Sequence, residues 1–495
     1  MKYYSTRTAP DDPGEGRSAA EVIVSGIAED GGLYMPDSIP RVGPDFISSL
    51  LPLDYRGRSD KILSLYLDGF EPDEIHRCGL DAYSAPSFPA SPAPTVKLED
   101  GLHILELWHG PTCAFKDMAL QIMPKLLTLS IPKSGEKRDA LILVATSGDT
   151  GKAALEGFRD VPGVRISVFY PADGVSRVQK AQMITQKGGN VSVCGIRGNF
   201  DDAQSGVKRI FGDAETVRRI ARKGYFLSSA NSINWGRLLP QITYYFSSYC
   251  DLVNSGEITA GEMINFCVPT GNFGDIFAGY MATLMGLPVR RLICASNSNN
   301  VLTDFFATGV YDRNRRFYTT ASPSMDILIS SNLERLLSVT AGYAKTAEYM
   351  ASLKETGRYS VDEEVMNEIC DVFDAGYASD GESFETIRRC FSDYSYLIDT
   401  HTAVALSCIG KYRERTGDKT TSVVLSTASP FKFAGAVYTS VTGKEAPAGY
   451  AALEALEEAS SVPIPEPLRD IDKREIRFPD EIDPADMADH ILREI

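Results

Sequence analysis

The chain has 495 residues, 43% of them hydrophobic and 23% charged, the balance of a globular protein long enough for more than one domain. Its formal charge of -16 excludes a nucleic-acid surface, which needs a basic stripe. No apolar run of about 18 residues is present to span a bilayer, and the opening MKYYSTRTAPDDPGEGRS lacks the apolar core of a signal peptide, so a cytoplasmic location is expected.

Nine cysteines stand singly with no CxxC pair, which reads as buried thiols in a reducing compartment and not as a metal site. Residues 1–98 form a mixed N-terminal domain that ends in the Pro/Ala/Ser-rich stretch Ser84–Thr95, a linker or wrap. Next comes His109-Gly110-Pro111-Thr112-Cys113-Ala114-Phe115-Lys116-Asp117, a small-residue turn that sets Lys116 immediately before a helical apolar pattern. Ala119, Ile122, Met123, Leu126 and Leu127 share one face at helical spacing, while Pro124 predicts a kink or a shifted first turn. A lysine in a desolvated pocket gives up its proton readily and can condense with an aldehyde, which makes Lys116 the candidate covalent anchor of pyridoxal phosphate.

Between Ala140 and Asn231, β-rich runs at 140–146, 164–170, 190–196 and 226–230 alternate with helical stretches at 150–158, 176–187 and 201–211, the βαβ rhythm of a parallel sheet. Gly188-Gly189 is expected to close the second helix with a left-handed cap. At the first strand-to-helix junction, Thr146, Ser147 and Thr150 offer hydroxyls beside free helix N–H groups. That suits a substrate carboxylate or phosphate, or plain capping by Asp149 or Ser147. After the last strand, Asn231-Ser232-Ile233-Asn234-Trp235-Gly236-Arg237 places an arginine able to clamp an anion at two points, with a surface salt bridge as the plain alternative.

A second set starts at Asn265: a strand-like NFCVPT, the loop Pro269-Thr270-Gly271-Asn272-Phe273-Gly274-Asp275, a helix-like 275–286 and a strand-like 290–296. The glycines let main-chain N–H groups turn toward an anion and the following helix adds its dipole, so a phosphate fits here. Ser422–Leu425 is a further buried strand, and Ser426-Thr427-Ala428-Ser429-Pro430 at its end sets a hydroxyl where it can meet a pyridine nitrogen. The expected fold class is α/β with two parallel-type domains flanking one cleft. The large domain takes 99–142 and 232–440, the small domain 143–231, and residues 441–495 an acidic tail packed on the surface.

Taken in order, HGPT-x-AFKD, SGDTG, NSINW-x-R, PTGNFGD and the late STA closely resemble the threonine synthase family, pyridoxal-phosphate enzymes of the tryptophan-synthase-β-like fold (fold type II). The opening MKYYSTR and Asp30-Gly31-Gly32-Leu33-Tyr34-Met35-Pro36 resemble its longer bacterial and fungal branch, and Ser322–Asp326 and Asp399–Ala403 agree further. The resemblance implies fold type II, pyridoxal phosphate as cofactor, and O-phospho-L-homoserine as substrate, converted with water to L-threonine and phosphate. It implies that Lys116 is the Schiff-base lysine, that Gly271, Asn272, Phe273, Gly274 and Asp275 cradle the cofactor phosphate, and that Thr427 faces the pyridine nitrogen. Thr146, Ser147, Thr150, Asn231 and Arg237 would hold the substrate phosphate.

Asp149 stands where other fold-type II enzymes place an asparagine near the cofactor's phenolic oxygen. It is assigned a cofactor contact, and two adjacent oxyanions there would have to share a proton. Trp108 and Cys113 read as packing changes, and Ser429 and Phe431 as changes beside Thr427. A phospho-lyase or a hydroxy-amino-acid dehydratase releasing a 2-keto acid is the alternative within the fold, and retention of Lys116 speaks against a non-catalytic binding protein. A monomer or homodimer is expected, with no nucleic acid, membrane or metal.

Overall fold

The computed structural model describes residues 1–8 and 14–495; residues 9–13, part of the opening stretch read above, lie outside the described residues. Strand β1 (Tyr3–Ser5) pairs antiparallel with β2 (Tyr34–Pro36). Between them runs helix Ala19–Ser25, started by a reciprocal cap in which the Ser18 hydroxyl takes the Glu21 N–H and the Glu21 carboxylate takes the Ser18 N–H. This region buttresses what lies behind it: the Ile23 carbonyl accepts from Asn234 Nδ2 at 3.0 Å and the Val24 carbonyl from Ser228 Oγ at 2.7 Å.

The chain then makes β3 (Thr95–Glu99) and β4 (Leu102–Glu106), leaves to build a second sheet from β5 (Asp139–Ala145), β6 (Val164–Pro171), β7 (Val191–Ile196) and β8 (Tyr225–Ser228), and returns with β9 (Ile264–Pro269) and β10 (Val289–Ser296). A short antiparallel pair, β11 (Val310–Asp312) and β12 (Arg358–Ser360), precedes β13 (Phe373–Tyr377) and β14 (Ser422–Ser426). The large sheet has six strands in the order β13-β10-β9-β14-β4-β3, parallel except for β3. Every residue of β4, β9 and β14 is buried, as strands covered on both faces require. The loops after β5, β8, β9 and β14 all leave carboxyl ends of parallel strands, where α/β sheets place their ligands.

The small sheet is wholly parallel, in the order β15-β7-β6-β5-β8, and its outer member comes from the far end of the chain: β15 (Glu481–Ile482). Residues 441–495 therefore do more than lie on the surface. Helix Met487–Glu494 buries Met487, Ile491 and Leu492 in the cluster that holds Phe169, Cys194 and Ile196. A two-residue strand carries too little periodicity to be seen in the sequence.

Pro124 shifts a first turn, as its position predicted, and the cap at Gly188 is not found. The pattern after Lys116 is two helices, Asp117–Leu120 and Met123–Lys133; Pro124 falls in the first turn of the second, where a missing N–H costs nothing. Helix Arg177–Ile184 ends before Gly188: Thr185 closes it, its N–H (3.2 Å) and hydroxyl (2.6 Å) both returning to the Ala181 carbonyl. Eight of the cysteines are buried and Cys370 is exposed. No helix among the described residues is long and apolar enough to cross a membrane.

Candidate active site

The turn before Lys116 is held by its own residues. The Asp117 carboxylate accepts the Thr112 N–H at 2.8 Å and the Thr112 hydroxyl at 2.7 Å, and a Cβ at Gly110 would meet that carboxylate at 2.5 Å. Burial pushes the Asp117 carboxyl up to about 7. The turn is laced to the end of β14: Phe115 N–H donates to the Thr427 carbonyl at 2.8 Å and Ser429 N–H to the Cys113 carbonyl at 3.0 Å. These bonds set Thr427 beside Lys116. Trp108, read from sequence as packing, also donates to Ser426 Oγ at 3.1 Å.

Lys116 is 9% exposed, with Nζ 4.7 Å over the Phe115 ring and 3.8 Å from Asp149 Oδ2. Burial brings its pKa down to about 8; Asp149 and Asp275 oppose that shift, while Arg237 and Lys432 add to it. An amine in this state exchanges a proton near neutral pH, as a nucleophile and proton carrier must.

The loop after β9 presents main chain. Phe273 adopts a left-handed φ of 64° and turns its ring toward Phe306 and Phe373, with centroids 6.2 and 5.7 Å away. The N–H groups of Gly271 to Asp275 donate to no protein group among the described residues, and they open helix Gly274–Met285. This is an anion seat. The Gly271 position admits no Cβ, because the Ser324 carbonyl would lie 2.9 Å from it. The Asp275 carboxylate is taken up elsewhere, its Oδ1 accepting the Tyr244 and Tyr245 hydroxyls at 2.5 and 2.9 Å. Burial raises it to about 6. What Phe273 and Asp275 offer an anion is thus their N–H groups, since a carboxylate facing a phosphate would repel it.

Across the cleft, helix Asp149–Phe158 starts at Gly148, whose φ is 136°. Neither Ser147 nor Asp149 caps it. The Thr146 hydroxyl oxygen does, accepting the N–H groups of Gly148 (2.9 Å) and Gly151 (2.8 Å). Ser147 and Thr150 are half-buried at the helix mouth, and the N–H groups of Ser147, Asp149 and Thr150 have no protein acceptor among the described residues. Asn231 Oδ1 is buried without a partner. Arg237 is 4% exposed; its Nη1 donates to the Ala230 carbonyl at 2.7 Å, and burial alone brings it down to about 10, with no carboxylate among the described residues offsetting the shift. A buried guanidinium so placed is a site for an anion.

Asp149 has neighbours that the sequence reading did not name. Two lysines flank its carboxylate, with Lys432 Nζ 2.8 Å from Oδ1 and Lys116 Nζ 3.8 Å from Oδ2. Gln179 Nε2 donates to it at 2.9 Å and the Ser324 hydroxyl at 3.3 Å. Burial by itself would raise this carboxyl, but Lys432 and Lys116 hold it well below the usual carboxylate range. Lys432 escaped the sequence reading because Pro430-Phe431-Lys432-Phe433 matches no motif. The signal available was a lysine between apolar residues, which folds inside only when paired. Ser324 and His401, known before only as points of resemblance, join the same network: Ser324 N–H donates to His401 Nε2 at 3.2 Å, and His401 Nδ1 meets Asp399 Oδ1 at 2.9 Å. An accepting Nε2 puts the ring proton on Nδ1.

Comparison with known proteins agrees along the chain. Residues 2–83 match the family described as "Threonine synthase N terminus", residues 89–428 "Pyridoxal-phosphate dependent enzyme", and residues 402–488 "Threonine synthase, C-terminal". Human threonine synthase-like 1 is 39% identical over 464 residues, which cover 90% of this chain and 61% of that protein, so the chain spans about three fifths of that relative's length. Threonine synthase of Pseudomonas aeruginosa is 39% identical over 440 residues, covering 88% of this chain and 90% of the relative. The crystal structure of PLP-bound threonine synthase from Brucella melitensis aligns with a TM-score of 0.86 at 34% identity, covering 100% of this chain and 99% of that one.

Proposed function

The chain belongs to the threonine synthase family of pyridoxal-phosphate-dependent enzymes, and from that membership we propose that it converts O-phospho-L-homoserine and water to L-threonine and phosphate. The observation that carries the reading is Lys116: a buried amine of lowered proton affinity, tied beside Thr427 and flanked by Arg237 and Asp275.

The residues present fit the cofactor. Free N–H groups at a helix start suit its phosphate, and a reactive amine suits its aldehyde. When bound, pyridoxal phosphate supplies the carbonyl that Lys116 takes up and a ring that draws electrons from the substrate's α-carbon. Gly271, Asn272, Phe273, Gly274 and Asp275 would hold the phosphate through main-chain N–H groups, and the Thr427 hydroxyl would meet the ring nitrogen. Asp149 would contact the cofactor as an anion whose charge Lys432 balances. Arg237 supplies charge to the substrate phosphate, with Asn231, Thr146, Ser147 and Thr150 as its hydrogen-bonding company. The net reaction removes phosphate from Cγ and leaves a hydroxyl from water on Cβ, so protons must leave and return to carbon; Lys116 Nζ is the group assigned to carry them. The small unit, which begins with β5 at Asp139 and not at 143 and takes β15 from the end of the chain, closes on the unit built around the large sheet and keeps water out of the early steps. A cytoplasmic enzyme, monomeric or homodimeric, completes the reading.

Incubation of the holoenzyme with O-phospho-L-homoserine should release threonine and phosphate in equal amounts. Phosphate accompanied by 2-ketobutyrate without threonine would overturn the assignment in favour of an eliminating lyase. Lys116→Ala is expected to lower turnover by about a thousandfold or more; full activity in that variant would remove the lysine from the reaction.

A further inference from the structure

Lys432 lies in the short turn Pro430–Phe433 that follows β14, with no side-chain exposure. Its Nζ is 2.8 Å from Asp149 Oδ1 and 2.9 Å from the Thr112 carbonyl, so it also braces the turn that carries Lys116. We propose that Lys432 is a positioning residue that competes with Lys116 for the Asp149 carboxylate and so leaves the Lys116 amine free to react near neutral pH. The proposal rests on the reading of Lys116 as the cofactor's anchor.

The geometry favours Lys432 in that competition. At 2.8 Å it makes a charge-assisted hydrogen bond, whereas 3.8 Å is too long for Lys116 to make one. Gln179 and Ser324 occupy further acceptor positions on the same carboxylate. Two other buried carboxylates have hydroxyl partners of their own, Asp117 at Thr112 and Oδ1 of Asp275 at Tyr244 and Tyr245. The charges acting on Lys116 are thus Asp149 from helix Asp149–Phe158, Asp275 from helix Gly274–Met285, Arg237 from helix Trp235–Leu238, and Lys432. Without Lys432 the nearest carboxylate has Lys116 as its sole ammonium partner, and the amine is held as an ammonium ion.

The test uses the full chain freed of cofactor. At a series of pH values it is exposed briefly to pyridoxal 5'-phosphate and then to borohydride. The amine displaces the aldehyde oxygen as water, borohydride supplies the hydride that fixes the new bond, and mass spectrometry measures the adduct at Lys116. In K432M the midpoint of adduct formation should rise by about one pH unit, a tenfold change in proton affinity. K432R, which keeps the charge, should titrate near the wild type. D149N/K432M, an uncharged pair that a buried site tolerates, should titrate below K432M and above D149N, in which Lys432 still repels the amine. An unmoved or lowered midpoint in K432M, or a double variant that titrates at or below D149N, overturns the competition. Absence of any Lys116 adduct in the wild type would overturn the anchor reading itself, a result distinct from an unmoved midpoint.

Discussion

Arg237 carries its charge in the interior, 4% exposed, with one carbonyl bound and no acid opposite it among the described residues. Its removal should therefore cost the anion it awaits more than the cofactor. With charged hydrogen bonds contributing about 1.5–3 kcal/mol, Arg237→Ala should raise the KM for O-phospho-L-homoserine by about 10- to 100-fold. The cofactor dissociation constant should move by less than about threefold, so equal losses in steady-state kinetics and cofactor titration would take Arg237 out of the substrate site. Individual residues were legible in proportion to how far their chemistry is local. Lys116 and the glycines of the β9 loop could be singled out because each lies in a contiguous motif that resembles a known family's. Lys432 could not, because its partner Asp149 is far away in sequence. The ionisation of Asp149 could not be read either, since it depends on which cation the fold brings within 3 Å.

Gly157 is a point of close backbone approach between helix Asp149–Phe158 and helix Asp117–Leu120 after Lys116. A Cβ at Gly157 would lie 1.9 Å from the Leu120 carbonyl, a backbone atom that cannot swing away. Gly157→Ala must push the helix that carries Asp149 off the turn that carries Lys116. We expect a loss of about 1–3 kcal/mol or more in denaturant unfolding, together with weaker cofactor binding; unchanged values for both would show that the contact yields. The helix itself was read from sequence within a residue, because hydrophobic periodicity is a property of the segment. Its cap was not: Thr146, the first residue after the preceding strand, does the work expected of Ser147 or Asp149, since the chain turns at Gly148 with a φ of 136° and brings Thr146 back over the helix mouth.

At the scale of the whole molecule, the ends of the chain brace the units that carry the site. The N-terminal helix Ala19–Ser25 receives hydrogen bonds from Ser228 and Asn234, and the C-terminal β15 and helix Met487–Glu494 complete the small sheet. Deleting residues 480–495 should uncover Phe169, Cys194 and Ile196. Three buried apolar side chains at about 1.5–3 kcal/mol each give an upper estimate of roughly 5–9 kcal/mol for what the small unit loses. Hydrogen exchange should quicken in β6 and β7 while β9 and β14 keep their protection. Equal protection in the truncated and full chains would mean that the tail is only a surface covering.

The sequence alone determined the main strands and helices of β5 to β10 and β14 and the chemistry that their strand-end loops can offer, because turn glycines, hydrophobic periods and the order of five motifs are written along the chain. The tertiary structure alone decided which carboxylates near Lys116 remain charged, which groups they are turned toward, and that the last residues of the chain finish the small sheet. These outcomes depend on burial and on distances between segments far apart in sequence, and electrostatic energy follows separation in space.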